Sequence, residues 1–391
     1  MNNSESLLKL QPGRLALLTA GHLINDAYTG FLAPLLPLLM VKMNLSLALA
    51  GTLASVLSVS TSLLQPIYGY LSDKIARRYF IYLGPLITAA FTAAIGLAPT
   101  YGCLILILLM SGVGTAAFHP QGTVMASMVS GSRKGLGMSI FVTGGNLGHS
   151  LGPIIILPIV TVAGLQGTVL TVAPGLVISI LLMKYAPALA SLYTGNPKPE
   201  MQRPPPRTSL WPLTLLSCVV STRSFIITGF STFIPILMQG RGYALFTAGA
   251  AITVFQLSGS MGALLGGLAS DRLGGKGMML FSFLASAPLF WLFLNSSGTI
   301  SFVSLGLAGV ILYSSIPVNI VMAQEISPGR AGMASAFMVG FGWVVGGLLV
   351  APLGVLSDKS GVTAALHFLA LVSVVGIISI LLLPREGRKV F

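Results

Sequence analysis

Long apolar segments recur along the whole chain, and they constrain its fold more than any other feature. Breaks at proline, glycine and charged residues separate about twelve of them, each of roughly 20 residues or more, the length that a helix needs to cross the bilayer core. The segments are continuous and do not alternate with a period of two, which favours α-helices over a β-barrel. The predicted spans are 14–41, 47–71, 79–98, 102–129, 136–162, 165–186, 210–238, 243–269, 277–295, 300–323, 333–356 and 363–383.

The composition points to lipid as the main solvent. Charged residues make up only 7% of the 391 residues, and hydrophobic residues make up 54%. A soluble domain carries about 25% charged residues, so this chain has too few charges to cover a water-facing surface. We therefore expect an all-α, multi-pass protein of the cell (inner) membrane.

Basic residues give the predicted orientation. If the N-terminus lies in the cytoplasm, the outer loops hold only Lys42, Arg241 and Lys359, and Arg223 alone lies inside a span. All other lysines and arginines then fall in cytoplasmic segments. This uneven distribution follows the positive-inside rule and predicts that both termini are cytoplasmic. It also explains the net charge of +13 without a nucleic-acid partner.

One long polar stretch separates spans six and seven. It contains Pro197, Pro199 and a run of three further prolines at 204–206. Such a composition cannot bury a core and is typical of a linker. The predicted organisation is therefore a six-helix bundle at 1–186, a cytoplasmic linker at 187–209 and a second six-helix bundle at 210–391.

An internal repeat relates the two halves. The loop after span two, from Gly69 to Arg78, is similar to the loop after span eight, from Gly267 to Lys276, and their aspartates Asp73 and Asp271 are 198 residues apart. This offset predicts two parallel repeats. A third similar string, 354–359, ends span eleven. It is either an echo of a nested inverted repeat or a chance recurrence.

The chain resembles the major facilitator superfamily in three features. These are the charged loop with its repeat, about twelve spans and a central polar linker. Further strings resemble its fosmidomycin-resistance branch, whose named member is a drug-export protein. The strings are 21–26, 34–37, 118–122, 144–153 and 323–330. The resemblance implies two pseudo-symmetric six-helix bundles around a central cavity that span one lines.

The resemblance also implies a cytoplasmic gate. In this gate, as the resemblance implies it, Asp73 contacts the start of span eleven near Gly332. The positive end of the helix dipole favours a carboxylate there. The alternative is that these loop charges only fix the topology. The predicted gate residues are Asp73, Arg77, Arg78, Asp271 and Arg272.

Asp26 is the only acidic residue deep inside a span. A carboxylate at this depth costs about 2.5–3.5 kcal/mol on insertion scales, so it indicates function. His22, Asn25, Asp26 and Thr29 follow the i, i+3, i+4, i+7 spacing of one helical face. We expect Asp26 and His22 to couple protons, and Asn25 and Thr29 to line the cavity. The alternative is a static packing cluster.

His119 precedes Pro120 in span four, where the proline frees a backbone carbonyl and bends the helix. Its imidazole titrates near neutrality and is a candidate proton relay. A buried histidine that only packs is the alternative.

Arg223 is the only basic residue inside a span, and the repeat offset places it one residue from the counterpart of Asp26. Each lies about 12–13 residues from its predicted cytoplasmic end, or roughly 18–20 Å at 1.5 Å per residue. Two roles stay open for Arg223: a fixed ion pair with Asp26, or a receptor for an anionic substrate.

Other polar residues inside spans are also candidates for lining the cavity, although they can equally bond helices together. The glycine-rich string 144–153 of span five additionally predicts close helix packing and a hinge. The candidate polar residues are Asn146, Ser150, Gln256 and Asn319.

The leading functional hypothesis is a secondary active transporter that exports a small, anionic organic compound or drug by alternating access, coupled to proton entry. The alternatives are proton-coupled or facilitated uptake of a small solute, and a membrane scaffold or sensor that does not transport. Neither a nucleophile motif nor metal-ligand spacing indicates an enzyme. The expected partners are a small-molecule substrate, protons and membrane lipid, with no cofactor, metal or nucleic acid, and the chain is expected to be a monomer.

Overall fold

The computed structural model describes residues 10–75, 78–187, 210–327 and 331–384, and every regular element in these ranges is a helix. Twelve helices within these ranges are long and apolar enough to cross a membrane. Each matches one predicted span, so the all-helical fold with twelve spans is confirmed. The helices are α1 (Pro12–Thr29 and Leu32–Met43), α2 (Leu47–Leu63 and Gln65–Ile75), α3 (Tyr79–Ala93), α4 (Tyr101–Val129), α5 (Lys134–Ala163), α6 (Val172–Tyr185), α7 (Leu210–Gly240), α8 (Leu245–Leu273), α9 (Gly275–Asn295), α10 (Gly298–Tyr313 and Ile316–Ile326), α11 (Ala331–Leu348 and Val350–Ser360) and α12 (Val362–Leu371 and Ser373–Leu382).

The chain forms two compact units. The N-terminal unit comprises Met1–Asn44 and Val56–Asn196, and the C-terminal unit comprises Leu45–Ser55 and Pro197–Phe391. The first residues of α2 thus belong with the C-terminal unit. The domain boundaries predicted from the sequence, with a linker at 187–209, stay a prediction because that linker lies almost wholly outside the described residues. The cytoplasmic placement of the termini likewise stays a prediction.

The same helix pairs pack together in each unit. In the N-terminal unit, α1 packs against α5, and α3 packs against both α4 and α6. In the C-terminal unit, α7 packs against α11, and α9 packs against both α10 and α12. Adding six to the number of each helix converts the first set into the second, as the internal repeat predicts.

A row of glycines brings α5 against the backbone of α1. Gly144, Gly148 and Gly152 are four residues apart and therefore share one face of α5. A Cβ atom on Gly148 would lie 2.0 Å from the carbonyl oxygen of Leu23, far inside van der Waals contact. The close packing predicted for this string is confirmed, whereas a hinge in it stays a prediction.

The C-terminal unit repeats this glycine contact between α7 and α11. Gly342 and Gly346 follow Gly144 and Gly148 by the same 198-residue offset. A Cβ atom on Gly346 would lie 2.6 Å from the backbone nitrogen of Phe225. The repeat therefore preserves the packing contact as well as the charged loops.

Asp358 caps the first turn of α2. Its two carboxylate oxygens accept hydrogen bonds from the backbone nitrogens of Leu47 at 2.8 Å and Ala48 at 2.9 Å. Nearby, the hydroxyl of Ser55 donates to the carbonyl oxygen of Gly347 at 2.6 Å. The first N–H groups of a helix lack intrahelical partners, so a carboxylate there satisfies two donors and complements the dipole.

The third loop-like string, 354–359, therefore contacts the start of α2 through Asp358. This is the kind of carboxylate-to-helix contact that the resemblance to the superfamily implies for Asp73 at the start of span eleven. The side chain of Asp73 lies outside the described residues, so the contact predicted for it stays a prediction.

We predict that Gly148→Ala destabilises the protein because its methyl group collides with the carbonyl of Leu23. Overpacking typically costs about 1–3 kcal/mol. Gly135→Ala on the same helix is the matched control, since a Cβ atom there meets nothing within 4 Å. Thermal unfolding of the purified variants in detergent measures the difference. Equal stability of the two variants would contradict the tight α1–α5 contact.

We predict that Asp358→Ala lowers the free energy of unfolding by about 0.5–2 kcal/mol, the usual cost of losing a helix cap. Asp358→Asn should recover part of this loss because the amide oxygen still accepts one hydrogen bond. The neighbouring variant Lys359→Ala, at an exposed position, is the control. A loss as large for Lys359→Ala would show that the cap does not cause the effect.

Candidate functional site

Three titratable side chains of the N-terminal unit meet in a cluster that we call the His–Asp cluster: His22 and Asp26 on α1, and His119 on α4. Nε2 of His22 lies 3.2 Å from Oδ2 of Asp26, and Nε2 of His119 lies 3.4 Å from Oδ1. The exposed fractions of the side chains are 9% for His22, 16% for Asp26 and 23% for His119, so little water screens their charges. The predicted proton-coupling residues thus lie together, and their role stays a prediction.

The position of His22 is fixed by α5. Its Nδ1 lies 2.8 Å from the carbonyl oxygen of Phe141, and its ring stacks on the ring of Phe141 with 4.3 Å between centroids. A carbonyl only accepts, so Nδ1 carries a hydrogen and Nε2 faces Asp26. Gly145 leaves room for the imidazole, because a Cβ atom there would lie 2.3 Å from Nε2 of His22.

Asn25 and Thr29 support Asp26 from the same helix. The amide of Asn25, fully buried, donates to Oδ1 of Asp26 at 3.0 Å. The hydroxyl of Thr29 donates to the carbonyl oxygen of Asp26 at 2.7 Å and also bonds Nδ1 of His149 at 2.8 Å. Both residues therefore contact Asp26, and their predicted role in lining a cavity stays a prediction.

A second cluster surrounds Arg223 on α7, and we call it the arginine cluster. The guanidinium donates to the hydroxyl of Ser315 at 3.2 Å, and Ser282 donates to the same hydroxyl at 2.9 Å. With its amide oxygen turned toward Arg223, Asn319 accepts from both Nη1 and Nη2, the latter at 3.0 Å. Arg223 and its two α10 partners are all almost fully buried.

The described hydrogen-bond partners of Arg223 are neutral groups of its own unit. No described carboxylate of the C-terminal unit pairs with the guanidinium. A guanidinium has five N–H donors, and Ser315 and Asn319 take three of them. No hydrogen bond between described residues uses the Nε–H or the second Nη2–H, and these two donors lie along one edge in the geometry that binds a carboxylate or phosphate with two hydrogen bonds.

The other predicted cavity residues have varied surroundings. Gln256 donates to Ser231 at 3.2 Å, and its buried Oε1 has no hydrogen-bond partner among the described residues. The hydroxyl of Ser150 donates to the carbonyl oxygen of Asn146 at 2.7 Å within α5. The side chain of Asn146 is exposed, whereas Ser150 is buried.

Of the predicted gate residues, only Arg78 has a described side chain. It donates a hydrogen bond to the carbonyl oxygen of Ala186, at the end of α6. Residue Arg77 and the side chains of Asp73, Asp271 and Arg272 lie outside the described part of the chain.

Sequence reasoning missed Ser282 and Ser315 as partners of Arg223. Ser315 could have been found from its i, i+4 spacing with Asn319, which places both on one face of α10. Ser282 lies on α9, and no local spacing relates it to Arg223.

The His–Asp cluster also has the donor atoms of a metal site. One ligand atom from each of its three residues lies within 4.8 Å of the others. Imidazole nitrogens and a carboxylate suit a divalent transition metal. The same atoms can instead share protons, so tests of proton coupling need a chelator.

The comparisons with known proteins agree with the fold and the repeat. The family model described as Major Facilitator Superfamily matches residues 18–351 and 216–390. The chain therefore belongs to the major facilitator superfamily, whose members are membrane transporters and not enzymes. The predicted location in the cell (inner) membrane, as a multi-pass protein, is confirmed with it.

Two curated relatives match almost the whole chain. It is 29% identical over 382 residues to the fosmidomycin resistance protein of Escherichia coli (strain K12), covering 96% of this chain and 94% of the relative. It is 30% identical over 381 residues to the uncharacterized MFS-type transporter YfnC of Bacillus subtilis (strain 168), covering 94% and 91%. The resemblance to the fosmidomycin-resistance branch is therefore confirmed.

A solved structure shows the same fold. The bacterial homologue of the human lysosomal transporter Spinster, in an inward-facing and occupied conformation, aligns with a TM-score of 0.76 at 16% identity and covers 94% of each chain. At this identity the likeness defines the fold alone.

Proposed function

We propose that this transporter exports a small, anionic organic compound in exchange for protons, by alternating access. The observation that carries the proposal is the contact of one buried carboxylate, Asp26, with two histidines. The arginine cluster is the reason for proposing an anionic substrate. Export is inferred from the E. coli relative, which is named as a fosmidomycin resistance protein.

A proton must lie between His22 and Asp26. Because Nδ1 of His22 donates to the carbonyl of Phe141, its Nε2 has only a lone pair when the ring is neutral. A lone pair 3.2 Å from a carboxylate oxygen is repulsive unless a proton is shared between them. Either the imidazole is protonated or the carboxyl group is, and the pair holds one proton in both cases.

His119 allows the cluster to hold a second proton. With one proton the His–Asp cluster is neutral, and with two it carries one positive charge. Charges at this depth cost several kcal/mol unless they are paired, so the two protonation states favour different conformations of the surrounding helices. A proton can therefore shift the equilibrium between the two access states, as coupling requires.

Arg223 is the group that would hold the substrate anion. Among the described residues of its own unit no carboxylate pairs with it, and Ser315 and Asn319 fix the guanidinium plane. The remaining Nε–H and Nη2–H edge fits an anion with two oxygens, such as a carboxylate or a phosphorus oxyanion. Binding of such an anion would remove the uncompensated charge.

We predict that Asp26→Asn abolishes proton-driven transport, because the amide cannot take up the coupling proton. The measurement uses proteoliposomes with and without a pH gradient, in the presence of EDTA, and a panel of anionic and neutral compounds that includes fosmidomycin. Substrate exchange without a gradient should persist in the variant. Glu325→Gln, which neutralises an exposed acid on α10, is the control and should retain coupling.

Full gradient-driven transport by the Asp26→Asn variant would remove Asp26 from the mechanism. Accumulation in the direction of proton entry would identify uptake by symport instead of export. Failure of the unaltered protein to move any compound in the panel would favour the non-transporting alternative.

We predict that Arg223→Lys weakens binding of anionic substrates about 10- to 100-fold, because the ammonium keeps the charge and loses the two-bond geometry, and a charge-assisted hydrogen bond is worth about 1.5–3 kcal/mol. Arg223→Ala should weaken it further, while neutral compounds should be little affected by either variant. Binding to the purified protein measures both effects. The exposed variant Arg133→Lys is the control.

If Arg223 only compensates Asp26, anion binding should not depend on position 223. The double variant Asp26→Asn, Arg223→Gln should then be more stable than either single variant. That pattern would assign Arg223 a structural role.

A further inference from the structure

A cavity of about 700 Å³ lies at one end of the N-terminal unit, between the start of α1 and the end of α6. By the predicted orientation, this end is cytoplasmic. Three of its lining residues are basic, and no lining residue is acidic. The lining residues are Gly13, Arg14, Leu17, Arg78, Lys184, Tyr185, Ala186 and Pro187.

The basic side chains of the cavity come from three different helix ends. Arg14 lies in the first turn of α1 and donates from Nη1 to the side-chain oxygen of Gln11 at 2.8 Å. Arg78 directly precedes α3 and donates to the carbonyl oxygen of Ala186. Lys184 lies in the last turn of α6, with its ammonium 5.2 Å from the ring centroid of Tyr185. Three cations around one cavity favour an anionic ligand.

An apolar stripe on α6 leads directly to this cavity. Val177, Ile180 and Leu181 are exposed, and they precede Lys184 by seven, four and three residues. This spacing places them on the same face of the helix as Lys184. Tyr185, also exposed, is an aromatic residue of the kind enriched at the level of lipid headgroups.

We propose that this cavity binds the phosphate headgroup of an anionic phospholipid, with the acyl chains along the α6 stripe. The three cations would contact the phosphate, and the exposed apolar residues would contact the hydrocarbon. Basic pockets at the cytoplasmic ends of membrane helices bind such headgroups. A free phosphate would use the cations alone and would gain nothing from the stripe. The site is separate from the His–Asp and arginine clusters and does not depend on the proposed substrate.

Native mass spectrometry of the purified full chain in detergent tests the proposal, with phosphatidylglycerol as the probe and phosphatidylcholine as the zwitterionic comparison. The unaltered chain should retain phosphatidylglycerol in preference to phosphatidylcholine. A basic residue that contacts the bound headgroup contributes about fivefold in affinity, so Arg14→Gln with Lys184→Gln should weaken retention about thirtyfold. The single variant Lys184→Gln should weaken it about fivefold.

The matched control is Arg133→Gln with Lys134→Gln. It removes the same charge from exposed residues at the start of α5, also on the predicted cytoplasmic side, and should change retention less than twofold. An equal loss in the two double variants would overturn the proposal, because generic surface charge would then explain binding.

A second experiment distinguishes a lipid ligand from free phosphate. Ile180→Ser with Leu181→Ser should weaken retention of long-chain phosphatidylglycerol and leave binding of inorganic phosphate unchanged. If inorganic phosphate displaces the lipid at millimolar concentration and chain length has no effect, the ligand is soluble phosphate and the lipid assignment is wrong.

Discussion

The close contact of α1 with α5 positions His22, the member of the His–Asp cluster that faces Oδ2 of Asp26. Gly148 lets the carbonyl of Leu23 approach, and Gly145 leaves space for the ring of His22. With the helices at this distance, Phe141 accepts the hydrogen bond that orients the imidazole. A methyl group on either glycine would move α1 or the ring by more than the tolerance of a hydrogen bond. The packing and the acid–base chemistry of the unit therefore depend on the same contact.

The two units handle their buried charges differently. In the N-terminal unit, Asp26 contacts two imidazoles, which can carry compensating protons. In the C-terminal unit, the described hydrogen-bond partners of Arg223 are the hydroxyl of Ser315 and the amide of Asn319. The proposed exchange of a proton for an anion would require both elements, a group that takes up protons and a cation that binds the anion. The repeat thus conserves the helix packing while the residues at corresponding positions have diverged.

Two other kinds of contact stabilise the packing of the helices. Gly342 and Gly346 reproduce in the C-terminal unit the packing of Gly144 and Gly148. Asp358 satisfies the first N–H groups of α2. Small residues let two helix backbones approach closely where the helices cross. A capping carboxylate satisfies the first N–H groups of a helix, which lack intrahelical partners.

The sequence by itself determined the twelve spans, because apolar length is a local property that the thickness of the bilayer sets. It also determined that His22, Asn25, Asp26 and Thr29 share one face, since the helical period relates neighbours along a single helix. Only the tertiary structure brought His119 of α4 to Asp26, Ser282 of α9 to Ser315, and Asp358 to Leu47, which is 311 residues away. These contacts depend on which helices pack together and at what rotation. Many side chains far apart along the chain fix that packing jointly, and no local pattern records it.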